Sequence, residues 1–512
     1  MFEVHKYSID NLVAILSAHT EASTQTVLNK SHTTFLDGYF GNIGAKTIVC
    51  ETEYVDHDYL EDFIKYYVRC FQGYNRRCAR LHFFRNTFEH ASFNSLITSP
   101  ENTENELTPK ILQDNYLGFI VLKPLPRTII GRTCLTIYPH DNRRYFPITR
   151  EYSANLFGME LRVKHSLAYQ EQDTVVAACA TSALWSAFQG TGILFHHKIP
   201  SPSEITDSAT ETLTRNSRAF PSNGLDAIEM ARAIKNVGLE PYHVAAGNEH
   251  ITIGTIYAYL KAKIPIILGF WIVDDHQQFI GKHAVAVTGY SLNDAAHPKS
   301  LQGADFNLKA TAIDKLYVHD DQVGPFSRML NDGQSVRVNN GQLIKDVWSL
   351  SSGYGQPTIK NARAVPDLLL VPLNPKIRIP FSEIHDLAIE IDSLLKQIFV
   401  GRNIVWDIFA STINEIKTDI FNNSSVSAAE RNRLLLQSMP KHIWKAQVTI
   451  SDLIAFDLLF DATDIEQGDS FVACICYDKN TCDEVKQGFS DSLFDEEQFE
   501  RFRSIIDWFR AI

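Results

Sequence analysis

Long apolar runs are missing from this 512-residue chain. The longest, Ile264 to Val273 (IPIILGFWIV), is ten residues with Pro265 inside it. A membrane-spanning helix requires roughly 20, so no membrane span is expected. The first residues carry Glu3 and Asp10 and no basic cluster, so no secretory signal is expected either. A Lys/Arg-rich block is also lacking: 48 basic residues face 60 acidic ones, a net charge of −12. That balance argues against general nucleic-acid binding and against a polybasic membrane anchor. Cysteine is sparse, with eight residues at 50, 70, 78, 134, 179, 474, 476 and 482. Their scatter gives no disulfide framework, and free thiols in a cytoplasmic setting are expected. There is no P-loop and no dinucleotide fingerprint, so no cofactor is expected. Cys474, Cys476 and Cys482 lack a C-x-x-C knuckle or a nearby His. They read as buried structural residues rather than zinc ligands, and no metal is expected.

What is present is a globular mixture, 45% hydrophobic, 21% charged and 11% aromatic. The length suits about three domains at 100–200 residues each. Residues 1–167 read as an α+β domain of unknown function, with a helix near 58–69 and strands near 79–84, 117–122 and 129–138. Residues 168–373 carry helices first and strands later, at 265–273, 283–290 and 316–319. Without βαβ alternation this is α+β rather than a doubly wound sheet. Residues 374–512 read as a third α+β domain, with a helix over 383–400 capped by Ser382 and an amphipathic helix over 496–511.

The central segment carries the chemistry. In QDTVVAACATSALWSAFQG, Ala180, Ala183, Leu184, Ala187 and Phe188 recur at helical spacing, and Gly190 is a natural stop. Cys179 therefore opens a helix with a buried stripe. Free backbone N–H groups and the dipole at that end favour a thiolate and can donate to an oxyanion. A thiol nucleophile needs a base, and the base needs an orienting group. His283 starts a strand, HAVAVTGY, and Asp320 ends another, LYVHD, with Asp321 next to it as an alternative. Gln172, seven residues before Cys179, could donate to an oxyanion; Gln170 lies nine before. The polar stretch from Pro200 to Asn223 is expected to be a mobile loop that limits entry to Cys179.

A Gln shortly before a Cys that opens a buried helix, then a His in H-x-V-x-V-x-G-Y, then an Asp ending a strand, resembles the papain-like cysteine peptidases. The bacterial branch that includes the bacteriocin-leader (double-glycine) peptidases is the most similar in pattern. Residues 224–239 (GLDAIEMARAIKNVGL) resemble its second helix, and 262–268 (AKIPIIL) its entry to the His strand. The likeness covers about a third of the chain. Ala180 stands where the branch has Gly, and the Gln spacing is one longer. The resemblance implies a papain-like domain with Cys179 as nucleophile, His283 as base, Asp320 as orienter and Gln172 in the oxyanion hole. It implies a protein or peptide substrate cleaved through a thioester. Acyl transfer on the same site, or an inactive scaffold module, are the alternatives. The flanking segments could receive a regulatory protein partner.

Overall fold

The computed structural model describes residues 2–101, 106–173, 178–211, 224–274, 276–293, 298, 305–331, 333, 335–337, 343–344, 348–350, 362–464, 469–490 and 501–511. The fold mixes helices with several antiparallel sheets. Two compact units emerge. The first takes residues 1–243, 265–291 and 315–372; the second takes 244–264, 292–314 and 373–512. The first segment of the chain and most of the central one thus share a unit. Among the described residues no helix is long and apolar enough to cross a membrane.

The first unit opens with an antiparallel sheet in chain order: β1 (Phe2–Lys6), β2 (Thr47–Tyr54), β3 (Cys78–Phe84), β4 (Tyr116–Leu122) and β5 (Ile130–Leu135). Helices Ile9–His19 and Ser31–Ile43 connect β1 to β2. A hairpin, β6 (Arg150–Leu156) and β7 (Met159–Ser166), follows. Then comes a larger sheet of β8 (Ile266–Val273), β9 (Phe279–Leu292), β10 (Ile313–Asp320), β11 (Gly324–Leu330), β12 (Trp348–Leu350) and β13 (Arg363–Leu373). These six pair in chain order, and β13 pairs back onto β8 from Ile267↔Leu370 to Val273↔Arg363. The strands therefore close into a barrel that pairs the first of them with the last, and the strands Glu240–Ala245 and Arg144–Tyr145 add on to β13 and β9.

One core explains why the first 167 residues do not stand apart. Phe84, Val121 and Cys134 from the first sheet share a cluster with Leu184, Trp185 and Phe188 of the Cys179–Phe195 helix and with Ala286 and Leu370 of the barrel. Each fully buried large apolar side chain contributes about 1.5–3 kcal/mol. Polar links add to this. Thr133 and Tyr169 exchange backbone bonds at 2.7 and 2.9 Å. Tyr67 Oη donates to Asp173.

The Cys179–Phe195 helix is buried almost all round, beyond the single stripe its sequence suggested. It also runs past Gly190 and stops only at His196, which is left-handed at φ 58°. Gly190 and Gly192 serve close approach. A Cβ on them would lie 2.8 Å from Ile148 and 2.6 Å from Ile199.

The second unit centres on β14 (Ile404–Thr412), β15 (His442–Ile450), β16 (Leu453–Asp461) and β17 (Phe471–Cys476), antiparallel in chain order. The helix Phe381–Ile398 begins after Pro380, so Ser382 sits inside it rather than at its N-cap. The last helix spans Arg503–Ala511, and residues 491–500 lie outside the described part. Cys476 and Cys482 form a disulfide, with Cα atoms 6.5 Å apart. This departs from the expectation of free thiols throughout. The end of β17 and the helix Lys479–Ser490 bring the pair together.

Candidate active site

Cys179 is the first residue of its helix. The residue before it, Ala178, has an extended backbone and no side-chain hydrogen bond to offer. The first-turn N–H groups thus meet no capping oxygen from that residue, which suits them to a thiolate or an oxyanion. Cys179 is half-buried, whereas Cys50, Cys78, Cys134 and Cys474 are fully buried. Burial pushes the thiols of Cys50 and Cys134 up to about 12.

His283 lies on β9 opposite Phe270 of β8, five residues into the strand rather than at its start. The ring is buried, and its Nε2 lies 3.1 Å from Asp320 Oδ1 and 3.4 Å from Asp321 Oδ1. Nε2 thus faces both carboxylates. The Cys179 side chain also acts on this ring, adding to the influences that raise its basicity. Burial alone would lower the basicity of His283. The charges of Asp320 and Asp321 and hydrogen bonds with Asp320 and Cys179 outweigh burial and raise its pKa well above the usual imidazole range. Cys179, His283 and Asp320, far apart in sequence, thus form one connected group.

Asp321 carries a second, less settled carboxylate. Its Oδ2 is buried without a hydrogen-bond partner among the described residues. Burial, opposed by His283 and reinforced by Asp320, pushes its carboxyl up to about 7. His283, Asp320 and Asp321 place their ligand atoms within 4.8 Å of one another, so one divalent ion could also fit this set.

The turn that bears the acids is clamped from the far end of the sequence. Gln322 N donates to Asp320 Oδ1 at 3.0 Å, and Val323 N to Asp320 O at 3.0 Å. His32 Nε2 lies 3.1 Å from the Asp321 carbonyl and 2.7 Å from Tyr169 Oη. Ser31 Oγ donates to the Gln322 carbonyl, and Lys30 pairs with Glu171. Phe35 fills the space that a Cβ on Gly324 would need. Sequence reading missed residues 30–35 as contributors. The only local signal is the run Lys30-Ser31-His32 at a helix start.

Gln172 is half-buried, and no hydrogen bond joins its side chain to another described residue. Residues 174–177, between it and Cys179, lie outside the described part. Gln170 is buried, and its Nε2 has no partner among the described residues. Gln322 Nε2 lies 3.5 Å from His283 Nδ1, the ring nitrogen turned away from the two carboxylates.

The expected gating loop is in part a helix. Pro202–Ala209 is helical, with a capping box between Ser201 and Glu204. Residues 212–223 lie outside the described part. Compared with known proteins, the chain matches no family model and no curated sequence.

Proposed function

We propose that the first unit is a cysteine-dependent hydrolase of papain-like type, acting on a protein or peptide. The observation that carries this reading is the connected group itself. A half-exposed thiol at a helix N-terminus meets a buried imidazole whose Nε2 rests on Asp320 at 3.1 Å. The thiol helix beside a closed strand barrel that carries His283 and Asp320 supports the family resemblance.

In this reading Cys179 attacks the substrate carbonyl as a thiolate. The oxyanion is held by first-turn N–H groups, with Gln172 as the proposed side-chain donor. His283 protonates the leaving amine, and water then opens the thioester with His283 as base. Asp320 fixes the ring and stabilises its charged form. An amine in place of water would give acyl transfer on the same residues. A scaffold role for the unit is the competing reading.

Alkylation of the intact protein with iodoacetamide separates catalyst from scaffold. Cys179 should react at least tenfold faster than half-buried Cys70, retain that rate at mildly acid pH, and lose it in His283→Ala. Labelling of Cys179 no faster than Cys70 and indifferent to His283 would end the enzyme reading.

A further inference from the structure

The first sheet gathers a second set of reactive side chains that the thiol chemistry does not use. Glu3 on β1 pairs directly with Cys50 on β2, so the two side chains share a face. His5, two residues along β1, shares that face as well. His19 ends the Ile9–His19 helix. Glu3 Oε2 lies 3.1 Å from His5 Nε2 and 3.3 Å from His19 Nε2. The ligand atoms of Glu3, His19 and Cys50 all lie within 4.8 Å of one another.

Those separations suit a tetrahedral ion. With metal–ligand bonds of about 2.0–2.3 Å, neighbouring ligand atoms stand about 3.3–3.8 Å apart. The Glu3–His19 pair is already at that spacing, and the thiol lies within 4.8 Å of both. Cys50 is fully buried and outside any disulfide, whereas Glu3 and His19 keep side-chain exposures of 42% and 17%. The sulfur therefore sits at the inner end of the set and the solvent path at the outer end. A thiolate, an imidazole and one carboxylate favour a borderline-soft divalent ion. Calcium and magnesium prefer all-oxygen sets.

We propose that Glu3, His19 and Cys50 bind one Zn²⁺ or a similar thiophilic divalent ion, with His5 orienting the Glu3 carboxylate and water completing the coordination. On binding, the Cys50 thiol releases its proton to solvent, and the thiolate and carboxylate neutralise the ion. The ion ties β1 and the first helix to β2, a staple for the sheet whose next helix clamps the Asp320 turn. The proposal does not depend on the hydrolase reading.

Titration of the chelator-dialysed full chain with Co²⁺ tests it. One Co²⁺ per chain should bind and give a sulfur-to-cobalt charge-transfer band in the near ultraviolet, displaced by Zn²⁺. Cys50→Ser should abolish the band, and His19→Ala should weaken binding at least tenfold. Cys179→Ala should leave both unchanged, which separates this site from the thiol beside His283. Absence of the band in the wild type overturns the proposal. So does a band that survives Cys50→Ser or disappears in Cys179→Ala. Because Cys50 is a core residue, the half-buried His19 gives an independent arm: unchanged affinity in folded His19→Ala is equally fatal.

Discussion

Both units bury carboxylates, and their surroundings differ. In the second unit Asp457 is wholly buried and accepts from Gln447 Nε2 at 2.9 Å, Tyr477 Oη at 2.6 Å and Lys445 Nζ at 2.7 Å. Asp407 accepts from Tyr257 at 2.9 Å, from Lys261 at 2.9 and 3.0 Å and from Lys309 at 2.8 Å. In the first unit Asp320 and Asp321 both face one imidazole nitrogen, and one oxygen of Asp321 has no partner among the described residues. A fully paired buried charge has nothing left to offer a substrate, even beside a cavity. The second unit has such a cavity, about 690 Å³, lined in part by Lys445, Gln447 and Tyr477. On the proposed reading, a cluster with one carboxylate only partly paired, beside a half-exposed thiol, keeps reactivity at a cost in stability. Buried charge alone therefore does not single out a candidate site; incomplete pairing beside a half-exposed thiol does.

The largest expected effect breaks the pairing in the second unit. Lys445→Ala leaves Asp457 buried without its counter-charge, and should cost about 3–5 kcal/mol. Asp321→Asn removes a charge that is only partly compensated, and should cost under about 1 kcal/mol or even stabilise. Urea unfolding with hydrogen exchange on β15 and β16 for the first, and on β9 and β10 for the second, measures both. If Asp321→Asn were as costly as Lys445→Ala, the acid pair of the first unit would be structural too.

Protonation should move the two regions in opposite directions. The folded-state pKa values of Asp321 and His283 lie above their ordinary values of about 3.9 and 6.5. The native site therefore holds protons that the unfolded chain releases. Its contribution to stability is full below about pH 4 and falls as pH rises through Asp321's value near 7, then further as His283 deprotonates. For Asp407, burial raises the pKa but Lys261 and Lys309 prevail and hold it below the usual carboxylate range. Its contribution is present above about pH 4 and lost as pH falls through its lowered value. Hydrogen-exchange protection between pH 4 and 8 should fall with pH at β9–β10 and hold or rise at β14–β15. Asp321→Asn should flatten the first slope, and parallel slopes in the two units would remove the contrast.

Part of this organisation is legible in the sequence and part is not, for physical reasons. Cys179 at a helix start follows from local periodicity, and the later His283 and Asp320 follow from strand patterning. The helix stop was misread at Gly190 because Ile148 and Ile199, which demand glycine at 190 and 192, come from outside the helix. The clamp on the acid turn links His32 to Asp321 across 289 residues, and no local pattern encodes such a link. The capping box at Ser201 and Glu204 was written locally, yet the polar composition around it suggested a loop. Glu3, His19 and Cys50 carry no motif, since their grouping depends on strand register and on where a helix ends.

The last effect, between those of Lys445→Ala and Asp321→Asn in size, concerns the sulfurs. Cys476 and Cys482 are six residues apart, so their bond closes a short loop and restricts the unfolded chain only modestly. Chain entropy for a loop of this size gives about 2 kcal/mol. Cys482→Ser should lower the stability of the second unit by roughly that amount while the Cys179 alkylation rate stays unchanged, because the bond lies wholly within the second unit. Cys179 depends instead on a free thiol and a raised imidazole. The outcome that would undo this division of roles is a Cys482→Ser protein, folded in its second unit, whose Cys179 no longer reacts faster than Cys70.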